Sequence, residues 1–142
     1  MSLTGKTIDQ LAVGDAAESA KTVSETDIYL YAGITGDFNP AHVNEVYAAN
    51  TIFKTRIAHG MLTAGFISAV IANKLPGPGT IYLKQELTFL APVRIGDTIT
   101  TRVEVLETME KNRVRLKTFC TNQDGTVVLD GVALVSPPKS RT

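Results

Sequence analysis

The sequence predicts an α+β fold in which one long buried helix is wrapped by an antiparallel β-sheet. Three observations carry that prediction. The stretch from Gly60 to about Lys74 is apolar on nearly every helical face, which in a water-soluble chain means burial on nearly every side. The second half of the chain alternates apolar and polar residues with the period of strands. A hairpin signal, Asn122-Gln123-Asp124-Gly125, joins the last two of those strands.

Each element has its own local reason. Ser24-Glu25-Thr26-Asp27 has the spacing of a helix N-cap followed by an acid at the third helical position. Ile28, Tyr31, Ala32 and Thr35 then recur at helical intervals, and Gly36 fits a helix stop. A second short helix is expected from Glu45 to Asn50, beyond the break at Pro40. The third helix carries Met61, Leu62, Phe66, Ile67, Val70 and Ile71, and Leu75-Pro76-Gly77-Pro78-Gly79 ends it. Phe66, Ile67 and Ile71 read as core, with a place in a pocket wall second.

Four strands follow. Ile81, Leu83, Leu87 and Phe89 alternate with Tyr82, Lys84, Glu86 and Thr88. Ala91 to Asp97 supplies a turn, after which Ile99, Val103 and Val105 alternate with Thr100, Arg102 and Glu104. Val114, Leu116, Thr118 and Cys120 alternate with Arg113, Arg115 and Lys117. The last strand, Thr126 to Val135, is apolar on both faces and is expected to be central. A sheet of this kind has edges, which proteins commonly cover by pairing subunits, so a homodimer or dimer of dimers is expected.

Composition bounds the function. The 142 residues are 44% hydrophobic and 20% charged, which fits one domain over 1–142, with 137–142 expected as a flexible tail. Fourteen basic residues balance fourteen acidic ones, whereas a nucleic-acid surface shows a basic excess. Cys120 stands alone and reads as a small buried hydrophobe. The start of the chain lacks the pattern of a signal peptide, and Met61 to Ala72 is shorter than the roughly 20 residues of a bilayer span. A cytoplasmic protein with no membrane and no nucleic-acid partner is expected. Neither a phosphate-binding Gly-rich loop nor metal-ligand spacing is present.

Chemistry concentrates in Thr35-Gly36-Asp37-Phe38-Asn39-Pro40-Ala41-His42. On a regular helix Asp37 and His42 would lie about 140° apart, but Pro40 breaks the helix and pushes Asn39 toward extended backbone. A tight loop can then aim both side chains into one cavity. The same residue types also describe a plain surface turn. The second cluster is Ala58-His59-Gly60-Met61, at the start of the buried helix. Gly60 allows close approach to the backbone, and the first N–H groups of a helix suit an oxygen gaining negative charge. His59 is expected to cap or pack at the helix start rather than move a proton.

Gly36-Asp37-Phe38-Asn39-Pro40-Ala41-His42, followed by Ala48 and by Ala58-His59-Gly60-Met61, resembles the MaoC-like (R)-specific enoyl-CoA hydratases. The resemblance continues through Leu75-Pro76-Gly77, Gly79 to Leu83, Leu87-Thr88-Phe89 and Val93 to Asp97. It implies the hot-dog fold, a dimer, and reversible syn hydration of trans-2-enoyl-CoA to (R)-3-hydroxyacyl-CoA. Asp37 and His42 would then hold one water, with the Gly60 N–H on the thioester oxygen. Asn39 would hold the loop or the catalytic geometry, and the Ser68 hydroxyl would orient Asp37, unless it bonds back to its own helix. CoA would enter only as part of the substrate, with no metal or other cofactor. Lys54, Arg56, Lys84, Arg94 and Arg113 include candidates for its phosphates, but exposed cations are usually solvated surface and none is assigned. Short acyl groups and supply of monomers for polyhydroxyalkanoate synthesis are the default expectations. The nearest alternatives are a 3-hydroxyacyl dehydratase acting on acyl carrier protein, a hot-dog thioesterase, and an acyl-binding module without catalysis.

Overall fold

The computed structural model describes residues 3–140. A 3₁₀ turn at Ile8–Gln10 leads to β1 (Ala16–Thr22), α1 (Glu25–Thr35), α2 (Pro40–Val43), α3 (Glu45–Ala48) and α4 (Gly60–Asn73). Four further strands follow: β2 (Ile81–Phe89), β3 (Thr98–Met109), β4 (Arg113–Thr121) and β5 (Val127–Ser136). All pair antiparallel in one sheet of order β1-β3-β4-β5-β2.

The first strand is the element that patterning missed. Its residues, Ala16-Ala17-Glu18-Ser19-Ala20-Lys21-Thr22, have no apolar alternation, and Ala17 alone among them is partly buried. It exists because its backbone completes a ladder on β3, with Ala17 opposite Val103 and Lys21 opposite Ile99. The last strand is interior as expected, but β4 holds the centre and β5 lies between β4 and β2. Mid-strand Gly131 has a steric reason, since a Cβ there would sit 1.7 Å from the Glu86 carbonyl oxygen of β2.

The local signals behave as their chemistry requires. Ser24 accepts from the Asp27 N–H (3.1 Å), and the Asp27 carboxylate accepts from the Ser24 N–H (2.9 Å). Gly36 closes α1 in the left-handed region at φ 82°. The helix beyond Pro40 ends at Ala48 rather than Asn50, and a separate turn of helix, α2, begins at Pro40 itself.

The core lies between α4 and the concave face of the sheet. Ile67, Val70 and Ile71 of α4 meet Ile99, Val103 and Leu116, all nearly inaccessible. Burial of one such side chain stabilises the fold by about 1.5–3 kcal/mol. The expectation that α4 is buried all round holds on one face only. Met61 remains 56% exposed, and Gly65, Ser68, Ala69 and Ala72 also face outward. A five-stranded sheet curls over one side of a helix and leaves the other open. Edge strand β2 is similarly bare, with Ile81, Leu83 and Phe89 exposed.

The segment expected as a flexible tail is anchored at its start. Pro137 is buried and its carbonyl accepts from Asn112 Nδ2 at 2.7 Å, while Pro138 packs against Gly79. Lys139 and Ser140 are exposed, and positions 141–142 lie outside the described residues. Among the described residues no helix is long and apolar enough to cross a membrane.

Candidate active site

Two side-chain-to-backbone turns shape the loop between α1 and α2. The Asn39 N–H donates to Asp37 Oδ1 (3.1 Å), and the Ala41 N–H donates to Asn39 Oδ1 (3.0 Å). Asn39 is thus the N-cap of α2, with Pro40 at its first position, where a missing N–H is no loss. Asn39 holds the loop in this way. One turn of helix then carries His42 back over Asp37.

Backbone atoms aim both imidazoles. His42 Nδ1 lies 2.7 Å from the Ile57 carbonyl oxygen. A carbonyl can only accept, so Nδ1 carries the proton and Nε2 is the free basic nitrogen of the neutral ring. The Ile57 N–H reciprocates by donating to the Ala41 carbonyl (3.2 Å), and Ala58 donates to Val93 (2.7 Å), seating this segment on the loop before β3. His59 Nε2 donates to the Asp37 carbonyl at 2.9 Å.

His59 does more than its expected role. It occupies the N-cap position of α4 but makes no side-chain capping bond. Its ring is 2% exposed, stacks on His42 with centroids 3.9 Å apart, and meets Tyr31 from another side at 4.6 Å. Burial pushes its pKa below the ordinary histidine value, which keeps the ring neutral. His59 Nδ1 and Thr63 Oγ1 are buried side-chain atoms without a hydrogen-bond partner, and both residues border the same cleft. Thr63 escaped the sequence reading, although its place one helical turn after His59 was a usable signal.

One oxygen of Asp37 and one ring nitrogen of each histidine all lie within 4.8 Å of one another. They stand at the polar end of a cleft of about 530 Å³, whose apolar walls include Phe53, Met61, Phe89, Leu90, Val128 and Leu129. Such a volume suits a small organic substrate. Gly60 lies on the wall as the first residue of α4, so its N–H has no acceptor within the helix. Phe89 covers it closely: a Cβ on Gly60 would meet the phenyl ring at 2.6 Å.

A carboxylate with two imidazoles is also a donor set for a divalent ion. The two rings, however, are inclined by only 29°, so their in-plane lone pairs run side by side instead of converging. His59 Nε2 is moreover spent on the Asp37 carbonyl.

Two residues singled out in the sequence lie apart from Asp37 and His42 within the chain. Ser68 is exposed, lies outside the lining of the cleft, and makes no hydrogen bond to Asp37. It follows buried Ile67 by one residue, which turns it about 100° away from the core-facing stripe. Arg56 is not a free cation for phosphate. All three guanidinium nitrogens are engaged by Glu25, Tyr29 and Glu45. Arg94 and Arg113 donate to the Phe53 and Lys111 carbonyls, respectively.

A helix laid across a curled antiparallel sheet, its N-terminus opening on an acid–imidazole cleft, places the molecule among the hot-dog-fold proteins. The chain belongs to the MaoC like domain family, whose model matches residues 11–127. It is 57% identical, over 92% of its length and 90% of the relative, to an (R)-specific enoyl-CoA hydratase of Rhodospirillum rubrum. Among solved structures, R-hydratase PhaJ1 from Pseudomonas aeruginosa superposes with a TM-score of 0.92 at 48% identity, covering 96% of this chain and 88% of that one. An (R)-hydratase from A. caviae involved in PHA biosynthesis gives 0.87 at 38% identity, covering 90% and 98%.

Proposed function

We infer that this chain is a hydro-lyase that catalyses the reversible syn hydration of trans-2-enoyl-CoA to (R)-3-hydroxyacyl-CoA. One observation carries the reading: Asp37 and His42 present a carboxylate oxygen and a ring nitrogen within 4.8 Å of each other at the end of an apolar cleft. Two acceptors at that separation can share one water, with about 2.8 Å to each.

In this reading the water donates one hydrogen bond to Asp37 and the other to His42 Nε2, the nitrogen left free by the Ile57 contact. As its oxygen bonds to C3, the pair takes one proton from the water and returns one to C2 from the same face. That single-faced exchange gives syn addition, and it leaves Asp37 and His42 in their starting states. Charge that builds on the thioester oxygen meets the Gly60 N–H and the positive end of α4. An acid–base pair contributes about 10²–10⁴-fold, and one preorganised oxyanion donor about 10²–10³-fold. The chemistry uses CoA only as the carrier of the acyl group, and it calls for no metal.

The same reading includes a paired assembly, a cytoplasmic setting, and delivery of 3-hydroxyacyl-CoA toward polyhydroxyalkanoate. The open apolar face of α4 and the bare edge of β2 support pairing with a second copy.

The deciding experiment follows loss of conjugated enoyl-thioester absorbance with crotonyl-CoA and then resolves the product enantiomers. Rapid loss with the (R)-3-hydroxy product is the expected result. No loss with crotonyl-CoA or longer enoyl-CoAs overturns it in favour of a carrier-protein dehydratase, and CoA release from a saturated acyl-CoA would indicate a thioesterase.

A further inference from the structure

We propose that Arg56 is a positioning residue for the acid–base pair, because one guanidinium ties together the three segments that carry Asp37, His42 and the Ile57 carbonyl. The proposal rests on the reading of Asp37 and His42 given above. Arg56 lies outside the cleft lining, and its side chain is only 13% exposed.

The connections run to separate elements. Nη2 donates to Glu25 Oε1 (2.7 Å) and Nη1 to the Tyr29 hydroxyl (2.9 Å), both near the start of α1. The far end of α1 runs directly into the loop of Asp37. Nε donates to Glu45 Oε2 at 3.1 Å, and the Arg56 backbone N–H donates to the same oxygen at 3.1 Å. Glu45 opens α3, immediately beyond the turn of helix that holds His42. The Thr55 hydroxyl takes the other Glu45 oxygen at 2.6 Å, and Tyr29 donates to Glu25 at 2.9 Å, which closes the network.

The next residue after Arg56 is Ile57, whose carbonyl fixes the His42 tautomer. The clamp therefore acts on both ends of one hydrogen bond, the Ile57 acceptor and the His42 donor. Exposed ion pairs contribute little stability, and both carboxylates are about half exposed. What the network supplies is geometry, since a planar guanidinium holds fixed directions toward several partners at once. The carboxyls of Glu25 and Glu45 are held below their ordinary range, Glu25 chiefly by Arg56 and Glu45 chiefly by Thr55 with Arg56 adding to it.

The test combines kinetics with nitrogen NMR of the ring on Arg56→Met, Arg56→Lys, Tyr29→Phe and His42→Gln. Arg56→Met is expected to lower kcat about tenfold or more with little change in KM, since small misplacements of reacting groups are costly. Arg56→Lys should recover part of the loss, and Tyr29→Phe, which removes one leg only, should cost less. In the His42→Gln background Arg56→Met should add little further loss, because a residue that acts through another is not additive with it. The histidine spectrum, simplified by only two rings in the chain, should change for His42 from one Nδ1–H tautomer to a mixture.

Unchanged kcat in folded Arg56→Met, or full multiplication of the two losses, overturns the proposal. Should Arg56→Met fail to fold, the same comparison made with Tyr29→Phe decides it. If Asp37→Asn and His42→Gln themselves keep normal turnover, the reading of the site has failed instead, and a displaced His42 tautomer in Arg56→Met would still establish the clamp.

Discussion

The imidazole of His59 lies face to face with that of His42, their centroids 3.9 Å apart and their planes inclined by 29°. The same His59 donates to the Asp37 carbonyl at 2.9 Å, so one buried ring braces both residues proposed as the acid–base pair. Replacing it by Gln keeps a donor for Asp37 but removes the stacked surface. We expect His59→Gln to lower kcat about tenfold with KM little altered, as measured by crotonyl-CoA hydration.

Burial of His59 has a consequence for stability. Its folded-state pKa is lowered from the ordinary value of 6.5, so between the two values the unfolded chain binds more protons than the folded one. The stability contributed by neutral His59 is therefore fully present above about pH 6.5 and is lost as the pH falls below it. Thermal melts across pH 5 to 8 should show this decline in the wild type, and a shallower one in His59→Gln.

Asp37→Asn and His42→Gln should each reduce turnover at least about 10²-fold while leaving the circular dichroism spectrum and melting temperature close to wild type. Neither side chain belongs to the core, and Asn at 37 can still accept from the Asn39 N–H. Near-normal turnover in either variant would remove that residue from the acid–base pair.

Gly60→Ala would drive a methyl group against Phe89, at 2.6 Å from its ring. Overpacking of this kind costs about 1–3 kcal/mol, and the low end is expected because Phe89 is half exposed. Turnover should fall sharply. Adding Phe89→Ala should restore the melting temperature without restoring turnover, since the methyl group still crowds the Gly60 N–H. Full kinetic recovery would show that the ring alone was at fault.

Ser68→Ala should keep turnover within about tenfold of wild type, because Ser68 is exposed on the open side of α4 and lies outside the cleft lining. A loss as large as that of Asp37→Asn would mean that Ser68 reaches a catalytic group through pairing of two copies.

Most of this fold was legible because its signals are local. The Ser24 cap, the left-handed Gly36, the Pro40 break and the period-two alternation of β3 and β4 act within a few residues of one another. Strand β1 was not legible, since an edge strand of Ala, Ser and Lys is held by another strand's backbone rather than by its own pattern. The residue types of Asp37 and His42 could be read, and so could the Pro-broken loop that lets them converge.

By itself the sequence determined the α+β class, the helix stops and starts, and which acid and which imidazole share a loop, because propensity and period are properties of neighbouring residues. Only the tertiary structure decided what fixes their aim. The Ile57 carbonyl that sets the His42 tautomer is a backbone atom, which no side-chain pattern records. The Arg56 clamp joins Glu25, Tyr29 and Glu45 across 31, 27 and 11 positions of chain. The exposure of Ser68 was settled by which arc of α4 packs on the sheet, a choice that an almost wholly apolar helix leaves to its neighbours.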